Sequence, residues 1–145
     1  MPMAVSSAQE PFRVSREKIR EFANALGERN PVCHSVEAAK AAGYQDLVAP
    51  PTFLTSLQLF ELERFLSSPD VGLDISQILH GEQGFDLHRP VIAGDALVSE
   101  TSIEDKRERG GATFYSLATE VKDANGELVA SLSSTIVAGA AGVVS

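Results

Sequence analysis

One cysteine, Cys33, stands in a chain of 145 residues. No internal disulfide framework is possible, and the single thiol points to a reducing compartment. No apolar run approaches the roughly 20 residues that a membrane-spanning helix needs. The stretch from Met1 to Pro11 lacks a basic region followed by an apolar one, so it does not read as a secretory signal. Together these absences predict a cytosolic protein. Positive charge is also in short supply. Twelve Lys and Arg face twenty Asp and Glu, a net charge of -8. A surface of that sign repels phosphate backbones, which excludes nucleic acid as the expected partner. There is no Gly-rich phosphate loop and no other cofactor signature, so no cofactor is expected.

What is present is ordinary globular material. Hydrophobic residues make up 43% and charged residues 22%, enough for one core in one domain. A flexible N-terminus is expected over residues 1–11, the domain over 12–139 and a short tail over 140–145. Two basic stretches, Arg13–Arg20 and Lys106–Arg109, have two readings. They are solvated faces, or they are local patches that would let an acidic carrier protein approach.

The first half reads as helices. Ser15 has the position of an N-cap, and Ile19, Phe22, Ala23 and Leu26 follow at helical spacing up to Gly27. Asn30-Pro31 is a turn signal. A short helix runs from Ser35 to Ala42 and stops at Gly43. After Ala49-Pro50-Pro51, residues Thr52 to Leu66 carry apolar side chains nearly all round, the pattern of a helix wrapped by the rest of its fold. The second half changes period. Ile75–Arg89, Ala96–Arg107, Ala112–Asp123 and Leu128–Gly139 read as strands. Gly110-Gly111 and Asn125-Gly126 join the last three as hairpins. Helices followed by an antiparallel meander predict an α+β fold. One long apolar helix beside long strands suits a sheet wrapped around that helix.

Several segments resemble a known family. Gly27-Glu28-Arg29-Asn30-Pro31-Val32-Cys33-His34 is similar to the hydratase motif of MaoC-like hot-dog enzymes, Gly-Asp-x-Asn-Pro, an aliphatic residue, then His. Glu37 to Tyr44, Val48 to Phe53, and Leu79 to Gln83 followed by Arg89-Pro90 and Ala93-Gly94-Asp95 resemble the amino-terminal MaoC-like dehydratase domain. The likeness runs from about residue 12 to residue 139. It implies a hot-dog fold, an active site at a dimer interface, and reversible addition or removal of water on an acyl thioester. The carrier would be acyl carrier protein or coenzyme A. Among such relatives are actinobacterial (3R)-hydroxyacyl-ACP dehydratases, which pair a catalytic subunit with a related subunit lacking the full catalytic residues. This chain most resembles the second kind, so the expected partner is a catalytic MaoC-like subunit, with a homodimer as the alternative.

The chemistry explains why the departures matter. Eliminating water requires a base for the proton alpha to the carbonyl, an acid for the leaving hydroxyl, and a donor for the enolate oxygen. The resemblance implies that Glu28 stands where the family has Asp, and Cys33 where it has His. His34 is one residue late, a turn of roughly 100° on a helix or the opposite face of a strand. Glu28 and His34 are the candidate catalytic residues, against a capping role for His34. Cys33 has no identified base partner and reads as packing. Pro51 has no N–H to offer where the family presents glycine, which leaves the amides of Thr52 and Phe53. Candidate substrate-binding residues are Asn30, Thr52, Phe53, Leu57 and Phe60, although Asn30 also suits a turn and the three apolar residues also suit a core. His80, Glu82, Asp86 and His88 alternate along one strand. They suit a dimer interface or acyl entrance better than a metal site, and no metal is expected.

Overall fold

The computed structural model describes residues 3–5, 10–66 and 75–139. Six strands and three helices follow one another as β1 (Met3–Val5), β2 (Phe12–Arg13), α1 (Arg16–Leu26), α2 (Val36–Ala41), α3 (Thr55–Leu66), β3 (Ile78–Leu87), β4 (Ala96–Arg109), β5 (Ala112–Lys122) and β6 (Leu128–Gly139). The sheet is antiparallel in the order β1-β4-β5-β6-β3, and β2 adds a short pairing to the start of β4. The expected N-terminal and C-terminal segments fall largely outside the described residues. Within them, Met3–Val5 pairs with Thr101–Ile103.

Local chemistry sets the boundaries. Ser15 Oγ accepts the Lys18 amide at 3.1 Å and starts α1. Gly27 ends it at φ 74°, a conformation in which a side chain would be strained. The Glu28 amide then reaches back to the Ala23 carbonyl at 2.8 Å, closing a Schellman cap. Ser35 Oγ caps α2 through the Ala38 amide at 3.1 Å. Alternation along β5 and β6 buries Tyr115, Leu117, Thr119 and Val121 beside Ala130, Leu132, Ser134 and Ile136. That face of the sheet receives α3 through Leu57, Gln58 and Leu62.

The expectations for the central helix and for the first long strand need correction. The central helix begins at Thr55, after a turn over 51–54, because Pro50 and Pro51 hold the chain out of the helix. The sheet curls around the helix as expected, and among the described residues the helix's outer face is open. Leu59 and Phe60 are 48% and 64% exposed, since the sheet of one chain covers a single face. The strand expected from Ile75 starts at Ile78, and it does not carry its polar residues on one face. A bulge between His80 and Glu82 sets His80 opposite Ile136, while Glu82 and Asp86 stand opposite Thr135 and Ser131 on the outer face. His80 Nε2 therefore meets Gln83 Oε1 at 2.9 Å instead of a carboxylate.

Candidate functional site

The motif loop is built from its two flanking helices. The Schellman cap delivers Glu28 at the end of α1, and Asn30 then opens a single 3-10 turn, Pro31–Cys33. Asn30 Oδ1 accepts the Val32 amide at 3.2 Å. The Pro31 carbonyl takes the amides of His34 and Ser35 at 3.0 and 2.8 Å. This is the turn-forming role for Asn30, fixed by backbone demand.

The turn decides where the two candidate residues point. Cys33 is 3% exposed, within the large core cluster beside Leu47, Phe53 and Leu54. Burial pushes its thiol up from the ordinary value, and the Glu28 carboxylate adds to the effect. A protonated, enclosed thiol is neither nucleophile nor base. His34 is half-buried, and its Nε2 lies 2.7 Å from the Glu28 backbone oxygen. A carbonyl only accepts, so Nε2 carries the hydrogen, and in the neutral form of the ring Nδ1 is the lone-pair nitrogen. Arg20 Nε holds the His34 carbonyl at 3.1 Å and is itself ion-paired with Glu17.

Glu28 and His34 line one open cavity of about 460 Å³, together with Asn24, Arg29 and Ser35. Asn30, the other polar candidate on this loop, is not part of that wall. The apolar candidates lie elsewhere. Phe53 and Leu57 are 1% and 2% exposed within the core. Leu57 and Phe60 also border a separate groove of about 670 Å³ between β2, α1 and α3. Phe53 takes the rings of Phe12 and Phe22 edge-on, at 6.2 and 5.6 Å between centroids. Thr52 is exposed in the turn before α3. The Phe53 amide is spent on the Pro50 carbonyl at 2.9 Å. Of the two amides expected as oxyanion donors, that of Phe53 is thus engaged, and for that of Thr52 no partner stands among the described residues.

Three of the family-like segments meet through their backbones. The Val48 amide bonds the Val32 carbonyl, the Ala49 amide bonds Val91, and the Ala93 amide bonds Leu47, all between 2.8 and 2.9 Å. The motif loop, the approach to the central helix and the Arg89–Asp95 segment are thus one unit. Arg89 locks its far side. It bonds both Asp95 oxygens at 2.9 and 3.1 Å and reaches Asp123 at 3.3 Å, joining the turn before β4 to the β5–β6 hairpin. The Arg89–Pro90 and Ala93–Asp95 likeness marked two ends of this clamp. Its third member, Asp123, carried no signal, because an ion pair 34 positions apart has no period. Gln58 was missed for the opposite reason. A polar residue among the apolar ones of this helix reads as solvent-facing, yet Gln58 is 3% exposed and donates to Ser134 Oγ at 3.4 Å.

A curled antiparallel sheet packed on one long helix defines an α+β hot-dog fold. The comparisons with known proteins agree. The model of the FAS1-like dehydratase domain region matches residues 2–132. The chain belongs to this family, within the MaoC-like hot-dog dehydratases. A UPF0336 protein of Saccharopolyspora erythraea is 43% identical over 127 residues, spanning 88% of this chain and 81% of the relative. A chain of the C-terminally truncated HadBC complex, a (3R)-hydroxyacyl-ACP dehydratase of Mycobacterium tuberculosis, superposes with a TM-score of 0.85. It is 36% identical, over 94% of this chain and 95% of that one. An (R)-hydratase from A. caviae, at 17% identity and a TM-score of 0.71 over 94% and 92% of the two chains, shares the fold.

Proposed function

We propose that this chain is the accessory subunit of a (3R)-hydroxyacyl-thioester dehydratase, paired with a catalytic MaoC-like hot-dog subunit. One observation carries the reading. The residue at the family's histidine position, Cys33, is sealed in the core at 3% exposure. Dehydration needs a group that exchanges a proton with the substrate, and a buried protonated thiol does not. The oxyanion donors are thinned at the same time, by Pro51 and by the turn that consumes the Phe53 amide. The partner would supply the Asp/His pair. This chain would supply the adjoining half of the fold and apolar surface for the acyl chain. The likeness to a chain of the HadBC complex supports a two-subunit arrangement. The substrate is a thioester on acyl carrier protein or coenzyme A, used in fatty acid or polyketide synthesis, with neither metal nor cofactor.

A second reading has its own observation. Glu28 and His34 share one cavity, so a homodimer could use His34 Nδ1 as base and the Glu28 carboxyl as acid. Measuring hydration of crotonyl-coenzyme A separates the two. The accessory reading expects no turnover by the purified chain and turnover when a MaoC-like partner is co-expressed. Turnover by the chain alone that vanishes in His34→Ala would sink it in favour of the homodimer. Acyl-thioester binding with no turnover in either preparation would leave a non-catalytic binding module.

A further inference from the structure

We propose that the groove between β2, α1 and α3 is the docking surface for the acidic carrier protein that presents the acyl thioester. The inference rests on the dehydratase-subunit reading and deepens it by naming the partner's face. The starting point is a conflict of charge. A chain at -8 repels an acidic protein at long range, so productive docking needs a place where the sign reverses.

The basic stretch Arg13–Arg20 divides in the fold. Arg16 is turned to Asp46, with bonds of 3.0 and 2.9 Å, and Arg20 is paired with Glu17. Those two cations are neutralised within the chain. Arg13 and Lys18 go the other way, to the wall of the groove, where Arg64 of α3 joins them. Among the described residues, the Arg13 guanidinium has no carboxylate partner. The Lys18 ammonium lies 4.4 Å from the centroid of the Phe12 ring and donates to the Arg13 carbonyl at 3.3 Å. Glu10 and Glu61 share the wall, and Glu61 sits 3.7 Å from Arg64. Three cations therefore stand against two carboxylates here, in a chain where carboxylates outnumber cations by twenty to twelve.

The floor between these charges is apolar. Phe12 and Leu57 form it, and Phe60 stands up from it at 64% exposure, the most exposed large hydrophobic residue among those described. The groove continues along α1 past Phe22 and Ala25 into a second hollow of about 450 Å³ that shares Phe12, Lys18 and Ser56 and adds the Glu21 carboxylate, so the excess of cations is confined to the first hollow. An aromatic anchor flanked by Arg13, Lys18 and Arg64, in an open hollow, suits a protein surface with one apolar contact amid carboxylates. A small enclosed ligand would need more burial than this groove gives.

The test uses the complex of this chain with its catalytic partner and compares two carriers of one crotonyl group. Arg13→Glu/Lys18→Glu is expected to raise KM at least tenfold for the acyl-carrier-protein thioester. KM for the coenzyme A thioester should stay within twofold, and kcat should hold for both. Arg13→Glu alone, which breaks no ion pair among the described residues, should give a smaller shift of the same kind if the double variant folds poorly. Raising salt from 50 to 500 mM should weaken the wild-type carrier-protein reaction selectively. Equal loss with both carriers would overturn the proposal by making the groove a thioester or phosphate subsite, and no change with either would overturn it outright. If the wild-type complex turns over neither thioester, the dehydratase reading fails by itself. Docking is then read from binding of acyl carrier protein to the immobilised chain. Binding lost in Arg13→Glu/Lys18→Glu sustains it, and absent or unaltered binding ends it.

Discussion

Among the described residues, the buried side chains fall into two clusters of different size. One cluster of sixteen buried residues gathers around Phe53, Leu54 and Leu57 at the N-terminal end of α3, joined by Ile19, Cys33, Leu47, Leu97 and Leu132. The other has five, with Leu62 from the C-terminal half of the helix packed on Tyr115, Leu117, Ile136 and Ala138. Between them lie buried polar groups, Gln58 on the helix and Thr101, Thr119 and Ser134 on the sheet. The larger cluster underlies the motif loop and carries Cys33 inside it. The smaller one lies under the part of α3 whose Leu59 and Phe60 are exposed. The difference teaches where a single chain completes itself. The motif loop is tied to its own chain by backbone hydrogen bonds, whereas the outer face of the central helix, at Leu59 and Phe60, is exposed among the described residues.

The strongest way to break the comparison is to empty each cluster in turn. Leu54→Ala, at 1% exposure in the large cluster, should cost about 3–5 kcal/mol, near the upper range for a side chain whose surroundings cannot collapse. Leu62→Ala in the small cluster should cost about 2–3 kcal/mol, because fewer buried neighbours surround it among the described residues. Urea unfolding of both variants measures the gap. Equal losses would show that the two clusters are one mechanical unit.

The division was only partly legible in the sequence. Features that follow from local chemistry could be read directly. Ser15 and Ser35 as caps, Gly27 as a stop, and Gly110-Gly111 and Asn125-Gly126 as hairpin turns all stand where expected. Features set by register could not. The bulge at Gly81 turns His80 away from Glu82, and no alternation pattern announces a bulge. The site behaves in the same way. That Glu28 and His34 belong to one loop was plain from their spacing. That the turn would bury Cys33 and aim His34 Nε2 at a backbone oxygen depends on three backbone hydrogen bonds and a core that the loop itself helps to close.

A smaller effect is expected at the clamp behind the large cluster. Arg89→Ala leaves Asp95 and Asp123, at 13% and 12% side-chain exposure, without their cation. The expected loss is about 1–2 kcal/mol, held down because Arg89 is itself a third exposed. The acid limb of stability reports on the same chemistry. The Asp123 carboxyl is held below the usual carboxylate range, first by the Glu127 amide and then by the Asn125 amide and Arg89. Asp46 is held low chiefly by its hydrogen bonds to Arg16. Below the ordinary value of about 3.9 the unfolded chain takes up protons that the folded one refuses, so stability rises with pH across that window. Melting temperature should therefore hold above about pH 4 and fall as pH drops through the lowered folded values. Asp46→Asn should flatten that fall, and an unchanged slope would remove Asp46 from the account.

The smallest effect is expected at the boundary between the clusters. The Gln58 amide nitrogen has one long bond to Ser134, and its Oε1 is buried with no hydrogen-bond partner among the described residues. A buried amide oxygen without a donor costs free energy that an apolar atom of the same size would not. Gln58→Met keeps the length of the side chain, removes the orphaned oxygen and lets the helix face run apolar from Leu57 to Leu62. Ser134 loses only a weak donor and stays able to donate its own hydrogen. The change should therefore leave stability within about 1 kcal/mol of the parent, with the balance toward a gain. A loss above about 2 kcal/mol in urea unfolding would mean that the polar groups between the clusters act as one satisfied network. In that case Gln58 is what holds α3 in register over the sheet, and the two clusters are kept separate by design of the helix and not by the thinness of the second.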